Sequence, residues 1–290
     1  MALELHRVGL LQLDPISHHG TVRVWPSSKG GKQRIVVGDD SGTVSLYEFK
    51  RGQVQTAFSI QAFSGPITSL ALGGDSGGKV DKVLCASGQQ IVGLSRKGKE
   101  VYKLTSSLTE EIRSIHVMDT RIWTSCECIF NMYDNNEDRA FYLCPDNINA
   151  LDVSNCLQST SSDAVLACQD NYLRILRDST VILEFPTDSP ATSLTFVARQ
   201  DGLGGHVIYG MENGSIGFAH VGQEASDKRV RVVRDWTHAD STRTSISSME
   251  LFDLTTSGVP ELIVGREDGR VQVFNVGTSG AEGWTQSTDS

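Results

Sequence analysis

The segment Gly73-Gly74-Asp75-Ser76-Gly77-Gly78-Lys79 fits three catalytic patterns at once. Gly74 to Gly78 spells the nucleophile motif of trypsin-type proteases, where a histidine oriented by an aspartate takes the serine proton. Only His6, His18 and His19 precede it, and the last two sit in a polar, turn-like stretch. The same residues fit G-x-S-x-G, which requires a strand before and a helix after the serine. Here the strand-like VDKVLCAS follows. Gly73 to Lys79 also satisfies most of a phosphate-binding G-x-x-x-x-G-K-[ST] loop, but Val80 replaces the magnesium-binding hydroxyl and no helix begins there to face a phosphate. The segment therefore reads as a loop between two strands.

Cys126-Glu127-Cys128 would put two thiols on one side of a strand. Zinc wants two further ligands at matching spacing, and none follows, so structural cysteine is the better reading. Asp39-Asp40-Ser41-Gly42, Glu212-Asn213-Gly214 and Glu267-Asp268-Gly269 offer one or two carboxylates each. That is too few for calcium, whereas an acidic or amide side chain followed by glycine suits a tight hairpin. Neither cofactor nor metal is expected. The densest positive charge lies on Arg96, Lys97 and Lys99 around Gly98, with Lys50-Arg51-Gly52 as a weaker counterpart. These cations could contact an acidic partner or lipid headgroups, or simply be solvated turns. Trp25, Trp123, Trp236 and Trp284 are too dispersed for an aromatic cage and read mostly as core.

The elements holding these residues are strands. The chain has 290 residues, 39% of them hydrophobic and 21% charged, with 28 glycines against 7 prolines. That composition suits a folded domain of many strands and tight turns. A formal charge of -9 disfavours nucleic acid as the main partner, since phosphate binding rests on Lys and Arg. No apolar run approaches the length of a spanning helix and MALELHRVGLLQLD lacks a signal-peptide core, so the chain reads as cytoplasmic. Its 6 cysteines, scattered through apolar segments, then read as reduced thiols.

One unit recurs: an apolar strand ending in a small residue, a polar turn, and a second strand. The copies are RIVVGDDSGTVSLYEF from Arg34, KVLCASGQQIVGLS from Lys82, RIWTSCECIFNMYD from Arg121, AVLACQDNYLRILRD from Ala164, HVIYGMENGSIGFAHV from His206 and ELIVGREDGRVQVFNV from Glu261. Their small residues, Gly38, Ser87, Ser125, Cys168, Gly210 and Gly265, are spaced by 49, 38, 43, 42 and 55 residues. A strand precedes most copies, as in PITSLALGG from Pro66 and PATSLTFVA from Pro190, and a fourth follows several, as in STVILEFP from Ser179. Four strands at this period make one propeller blade, which must stack on neighbours to bury its faces. The expected fold is an all-β propeller of four-stranded antiparallel blades over residues 1–276, with 277–290 a polar tail. TVRVWP from Thr21 is a further strand whose blade is left open.

The stretches IVVGDDSGTV, GLSRKGKE with LTEEIRSIH, VLACQDNYLRIL and VPELIVGREDGRVQVF, in this order, resemble the N-terminal propeller of the Bardet-Biedl syndrome protein seven family. Members are subunits of the BBSome, a coat-like ciliary cargo-adaptor complex. The resemblance implies a non-enzymatic scaffold, located in the cytoplasm, cilium, basal body and ciliary membrane. It implies other BBSome subunits as partners, especially Bardet-Biedl syndrome protein two, with membrane-protein cargo and the membrane met through the complex. It also implies seven blades followed by a coiled coil and further domains, so six visible repeats read as an incomplete ring cut from a longer subunit. Two other functions compete: a propeller enzyme of glycosidase or lactonase type, with carboxylates, histidines or a metal clustered at the axis, and another peptide-binding propeller.

Overall fold

The computed structural model describes residues 19–26, 33–50, 52–74, 80–154, 162–198, 204–224, 227–238, 243–275 and 286–287. They form six four-stranded antiparallel sheets, each a meander of consecutive strands. Two compact units carry three sheets each: Arg7–Leu143, and Cys144–Ser290 together with Met1–His6.

In the first unit, blade 1 comprises β1 (Val22–Trp25), β2 (Gln33–Gly38), β3 (Thr43–Lys50) and β4 (Gln53–Gln61). Blade 2 is β5 (Ser69–Gly74), β6 (Val80–Ser87), β7 (Gln90–Ser95) and β8 (Glu100–Thr105), and blade 3 is β9 (Ser114–Met118), β10 (Arg121–Ser125), β11 (Ile129–Asp134) and β12 (Glu137–Leu143). The strand whose blade the sequence left open is β1, which pairs with β2 in the register Val22↔Val37 to Trp25↔Arg34.

In the second unit, blade 4 is β13 (Ile148–Ser154), β14 (Asp163–Cys168), β15 (Tyr172–Arg177) and β16 (Thr180–Pro186). Blade 5 is β17 (Ala191–Ala198), β18 (Gly204–Met211), β19 (Ile216–Glu224) and β20 (Asp227–His238). Blade 6 is β21 (Ile246–Phe252), β22 (Glu261–Arg266), β23 (Val271–Asn275) and the short β24 (Gln286–Ser287), which pairs with β23.

Burial explains why the second strands read as unbroken apolar runs. Every residue of β14 is buried, so both of its faces need apolar side chains, whereas β12 and β16 at sheet edges are largely exposed and mixed. The cores lie between blades. One joins Trp25, Val36, Val44 and Leu46 of blade 1 to Leu70, Val83 and Val92 of blade 2. Equivalent clusters join blades 2 and 3, blades 4 and 5, and blades 5 and 6.

The bend before each blade has its own chemistry. Pairing of β13, β17 and β21 slips by one residue at Asn149, Thr192 and Ser247, so these side chains leave the ladder. Asn149 Nδ2 then donates to Ala191 O at 3.1 Å, and Thr192 Oγ1 to Ile246 O at 2.5 Å, each reaching the following blade. Thr68, just before β5, donates likewise to Ile112 O at 2.6 Å and to Ala86 O at 3.2 Å. At Thr68, Asn149 and Thr192 one polar side chain thus ties its own blade to the next, whereas Ser247 donates within its own blade, to Gly265 O at 3.1 Å.

The acidic turns are hairpins. Asp39 Oδ1 accepts from Ser41 N and Thr43 N, both at 2.9 Å, Asn213 Oδ1 accepts from Ser215 N at 2.9 Å, and Asp268 Oδ1 accepts from Arg270 N at 3.2 Å. Gly42, Gly214 and Gly269 supply the positive φ each turn needs.

Candidate interaction surface

The structure brings Arg96, Lys97 and Lys99 together on the hairpin between β7 and β8. Ser95 N donates to Lys99 O and Gly98 N to Ser95 O, both at 2.8 Å, while Lys99 N donates to Ser95 Oγ at 3.1 Å. Gly98 closes the turn at φ 79°. It is also buried, and a Cβ there would stand 3.0 Å from Phe58 Cγ and closer still to Ile60 Cδ1. The tip of blade 2 therefore rests on β4 of blade 1. Arg96 adds a second anchor, its guanidinium carbon lying 5.8 Å from the ring centroid of the buried Trp25.

Arg96, Lys97 and Lys99 themselves are exposed. Among the described residues none of them is in an ion pair, so the tip presents three cations on a backbone fixed by four contacts. Such a fixed group attracts carboxylate or phosphate surfaces and sets their approach. Arg51, of the weaker counterpart, lies outside the described residues.

Two clefts in the first unit had no signal in the sequence. One of about 290 Å³ lies between blades 2 and 3, lined by Lys82, Tyr102, Val117, Asp119 and Asn135 among others. The Tyr102 hydroxyl there has no hydrogen-bond partner, and burial, then the neighbouring Tyr133, push its pKa up to about 12. The other, about 500 Å³, is bordered by the 62–66 loop, the β6–β7 turn and Glu111. Its walls are mainly turns.

Asp75 to Lys79 of the glycine-rich segment lie outside the described residues, but the flanking elements are β5 and β6, two strands, as the loop reading requires. Cys126 and Cys128 do not share a strand. β10 ends at Ser125, and Cys126 N donates to Ile129 O at 2.8 Å, closing a turn that also contains Cys128. Cys126 is buried, which pushes its thiol up to about 12, with Glu110 adding to the rise, and Cys128 N donates to Glu110 Oε2 at 3.0 Å. Among the described residues no three His, Cys, Asp or Glu side chains gather closely enough to hold a metal. Among these residues no helix is long and apolar enough to cross a membrane. Trp25 and Trp123 are core residues, 1% and 3% exposed; the Trp236 side chain, Trp284 and Cys156 lie outside what is described.

Residues 22–288 match the family described as the BBS7 beta-propeller. The chain belongs to that family. Mouse BBSome complex member BBS7 is 29% identical over 278 residues, a span of 95% of this chain and 38% of the mouse protein. The Caenorhabditis elegans BBSome complex member bbs-7 is 27% identical over 268 residues, covering 89% of this chain and 36% of its own length. The chain thus spans little more than a third of the curated relatives it matches. Among solved structures, BBS1N in complex with ARL6DN superposes with a TM-score of 0.66 at 14% identity, covering 91% of this chain and 81% of that one. The Myceliophteria thermophila Cps50 (Swd1) beta-propeller domain gives 0.64 at 15% identity, over 91% and 85%. At these identities the likeness concerns the fold, and both establish the six meanders of this BBS7-family chain as propeller blades.

Proposed function

We propose that this BBS7-family propeller is the N-terminal part of a BBSome subunit and serves as a non-enzymatic scaffold for protein contacts. The observation that carries the reading is the family match across residues 22–288, which takes in all six blades. Two relatives matching along most of the chain are BBSome members by name, which supports membership of the same complex. The role follows: a coat-like adaptor moving membrane proteins to and from cilia, acting in the cytoplasm, basal body, cilium and ciliary membrane. Bardet-Biedl syndrome protein two and other BBSome subunits are its partners. Cargo and membrane are met through the complex.

Within this role the Arg96, Lys97 and Lys99 hairpin is the docking element that we assign. Its backbone is held by Gly98 and its cations face solvent, so its charges are available to an acidic surface of another subunit or of lipid. The test is affinity purification of tagged full-length protein from ciliated cells. Recovery of BBSome subunits is expected, and their complete absence would refute the assignment. An Arg96→Glu, Lys97→Glu, Lys99→Glu variant, folded by circular dichroism, should recover about tenfold less of one partner, since three rim charges at about 0.5 kcal/mol each sum to that ratio.

A further inference from the structure

Cys144 and Cys168 hold their sulfur atoms 3.5 Å apart within the second unit. Cys144 directly follows β12 in the segment leading to β13, Cys168 ends β14, and the pairing of Ile148 with Cys168 brings the two together. They are buried, 4% and 0% exposed, and both are free thiols. The surroundings are unusual for inert core cysteine. Arg174 of β15, itself only 5% exposed, is near enough for its charge to favour the Cys168 thiolate. Its guanidinium is held by both oxygens of Asp170 at 2.9 and 2.6 Å, stands 3.5 Å from Glu184, and lies 5.4 Å from the Tyr172 ring centroid. Asp170 is fixed in turn, accepting from Tyr172 N at 3.2 Å. A cation has been placed beside one sulfur of a close pair, with the other sulfur as neighbour.

We propose that Cys144 and Cys168 are a redox-sensitive dithiol, converted by a hydroperoxide into an intramolecular disulfide. The neighbouring Cys144 and the Arg174 charge both favour the Cys168 thiolate, whereas Cys144 is raised by its pairing with Cys168 and by burial. Cys168 is therefore the attacking thiolate and Cys144 the resolving thiol. The Cys168 sulfur attacks a peroxide oxygen: an S–O bond forms, the O–O bond breaks, and the departing hydroxide takes a proton to become water. Cys144 sulfur then attacks the sulfenic sulfur: S–S forms, S–O breaks, and hydroxide leaves with the Cys144 proton as a second water. Two thiols lose two electrons and the peroxide gains them. Reagent reaches the covered pair by local opening of the segment before β13. The crosslink ties that segment to the end of β14, which stiffens blade 4 by closing a loop in the unfolded chain.

The test uses the 290-residue chain, incubated with hydrogen peroxide, then denatured, alkylated and mapped without reduction. A peptide pair linked through Cys144 and Cys168, lighter by two hydrogen atoms and released by dithiothreitol, is expected, with the thermal midpoint raised by several degrees. The dithiol reagent phenylarsine oxide should block the link when added first. Arg174→Gln, checked for folding, should form the link about threefold more slowly near neutral pH, because raising the attacking thiol pKa by about one unit cuts the thiolate fraction while partly restoring nucleophilicity. Recovery of both cysteines alkylated, or of Cys168 carried to sulfinic acid without a link, from chain that remained folded would overturn the proposal.

Discussion

Gly38, the last residue of β2, lies directly beneath Ile67 of the next bend: a Cβ on Gly38 would sit 2.6 Å from Ile67 Cγ2. Gly210 stands in the same relation to Ile246, at 2.5 Å. At these two positions the residue near the end of the second strand is small because the following blade places a fully buried isoleucine on it.

Gly38→Ala and Gly210→Ala should therefore destabilise by overpacking rather than by backbone strain, at about 1–3 kcal/mol each. Thermal or urea unfolding measures this. Removing the opposing Cγ2 and Cγ1 should relieve it, so Gly38→Ala should cost less in an Ile67→Ala background than in the parent chain, a non-additivity that independent sites would not show.

Thr68 and Thr192 each split one hydroxyl between their own blade and the next. Replacement by valine preserves shape but orphans a buried carbonyl, so Thr68→Val and Thr192→Val should each lose about 1–3 kcal/mol. Serine at either position keeps the donor and should cost less. Urea midpoints across the four variants test the order.

His116 gives the pH dependence a sign. Burial, assisted by Arg23, lowers its pKa from 6.5 to about 4, and its ring packs edge-on against Trp123 with centroids 6.3 Å apart. The folded state holds the neutral imidazole, whereas the unfolded chain takes up a proton below about 6.5. The contribution is thus complete above pH 6.5 and lost as pH falls through that value toward 4. His116→Phe, with no proton to gain, should show a shallower fall in thermal midpoint across this window than the parent chain.

How far the sequence carried depends on how local each cause was. The second and third strands of every blade were legible because full burial writes an apolar run, and Asp39, Asn213 and Asp268 announce turns through their own backbone bonds. β1 was not assigned because TVRVWP lacks the Ser-apolar signature shared by the later bends, and only its pairing with β2 places it. Cys126 and Cys128 were read onto a strand because the apolar run continues past Ser125, where the chain has already turned. The basic tip was visible in its charges and Gly98, but its seat on Trp25, Phe58 and Ile60 depends on packing between blades, which no local pattern encodes. The Cys144 and Cys168 pair was hidden because the pairing of β13 with β14 brings together residues 24 apart, which no local pattern encodes.

Arg266 is the strongest case of an interblade tie that composition does not reveal. It ends β22 almost fully buried, donating through Nη1 to Gly214 O at 3.0 Å and to Thr244 O at 2.8 Å, and through Nε to Gln272 Oε1 at 2.5 Å. One guanidinium thus satisfies carbonyls on the β18–β19 turn of blade 5 and on the segment leading into blade 6. A methionine there would fill similar volume but leave both carbonyls buried without a donor, so Arg266→Met should cost about 2–4 kcal/mol. Lysine retains the charge on a single nitrogen, which cannot match a planar fork reaching three acceptors in different directions. Arg266→Lys should accordingly fall between the two. If calorimetry instead placed lysine level with arginine, charge alone would be sufficient and the fork geometry would have no part in joining blades 5 and 6.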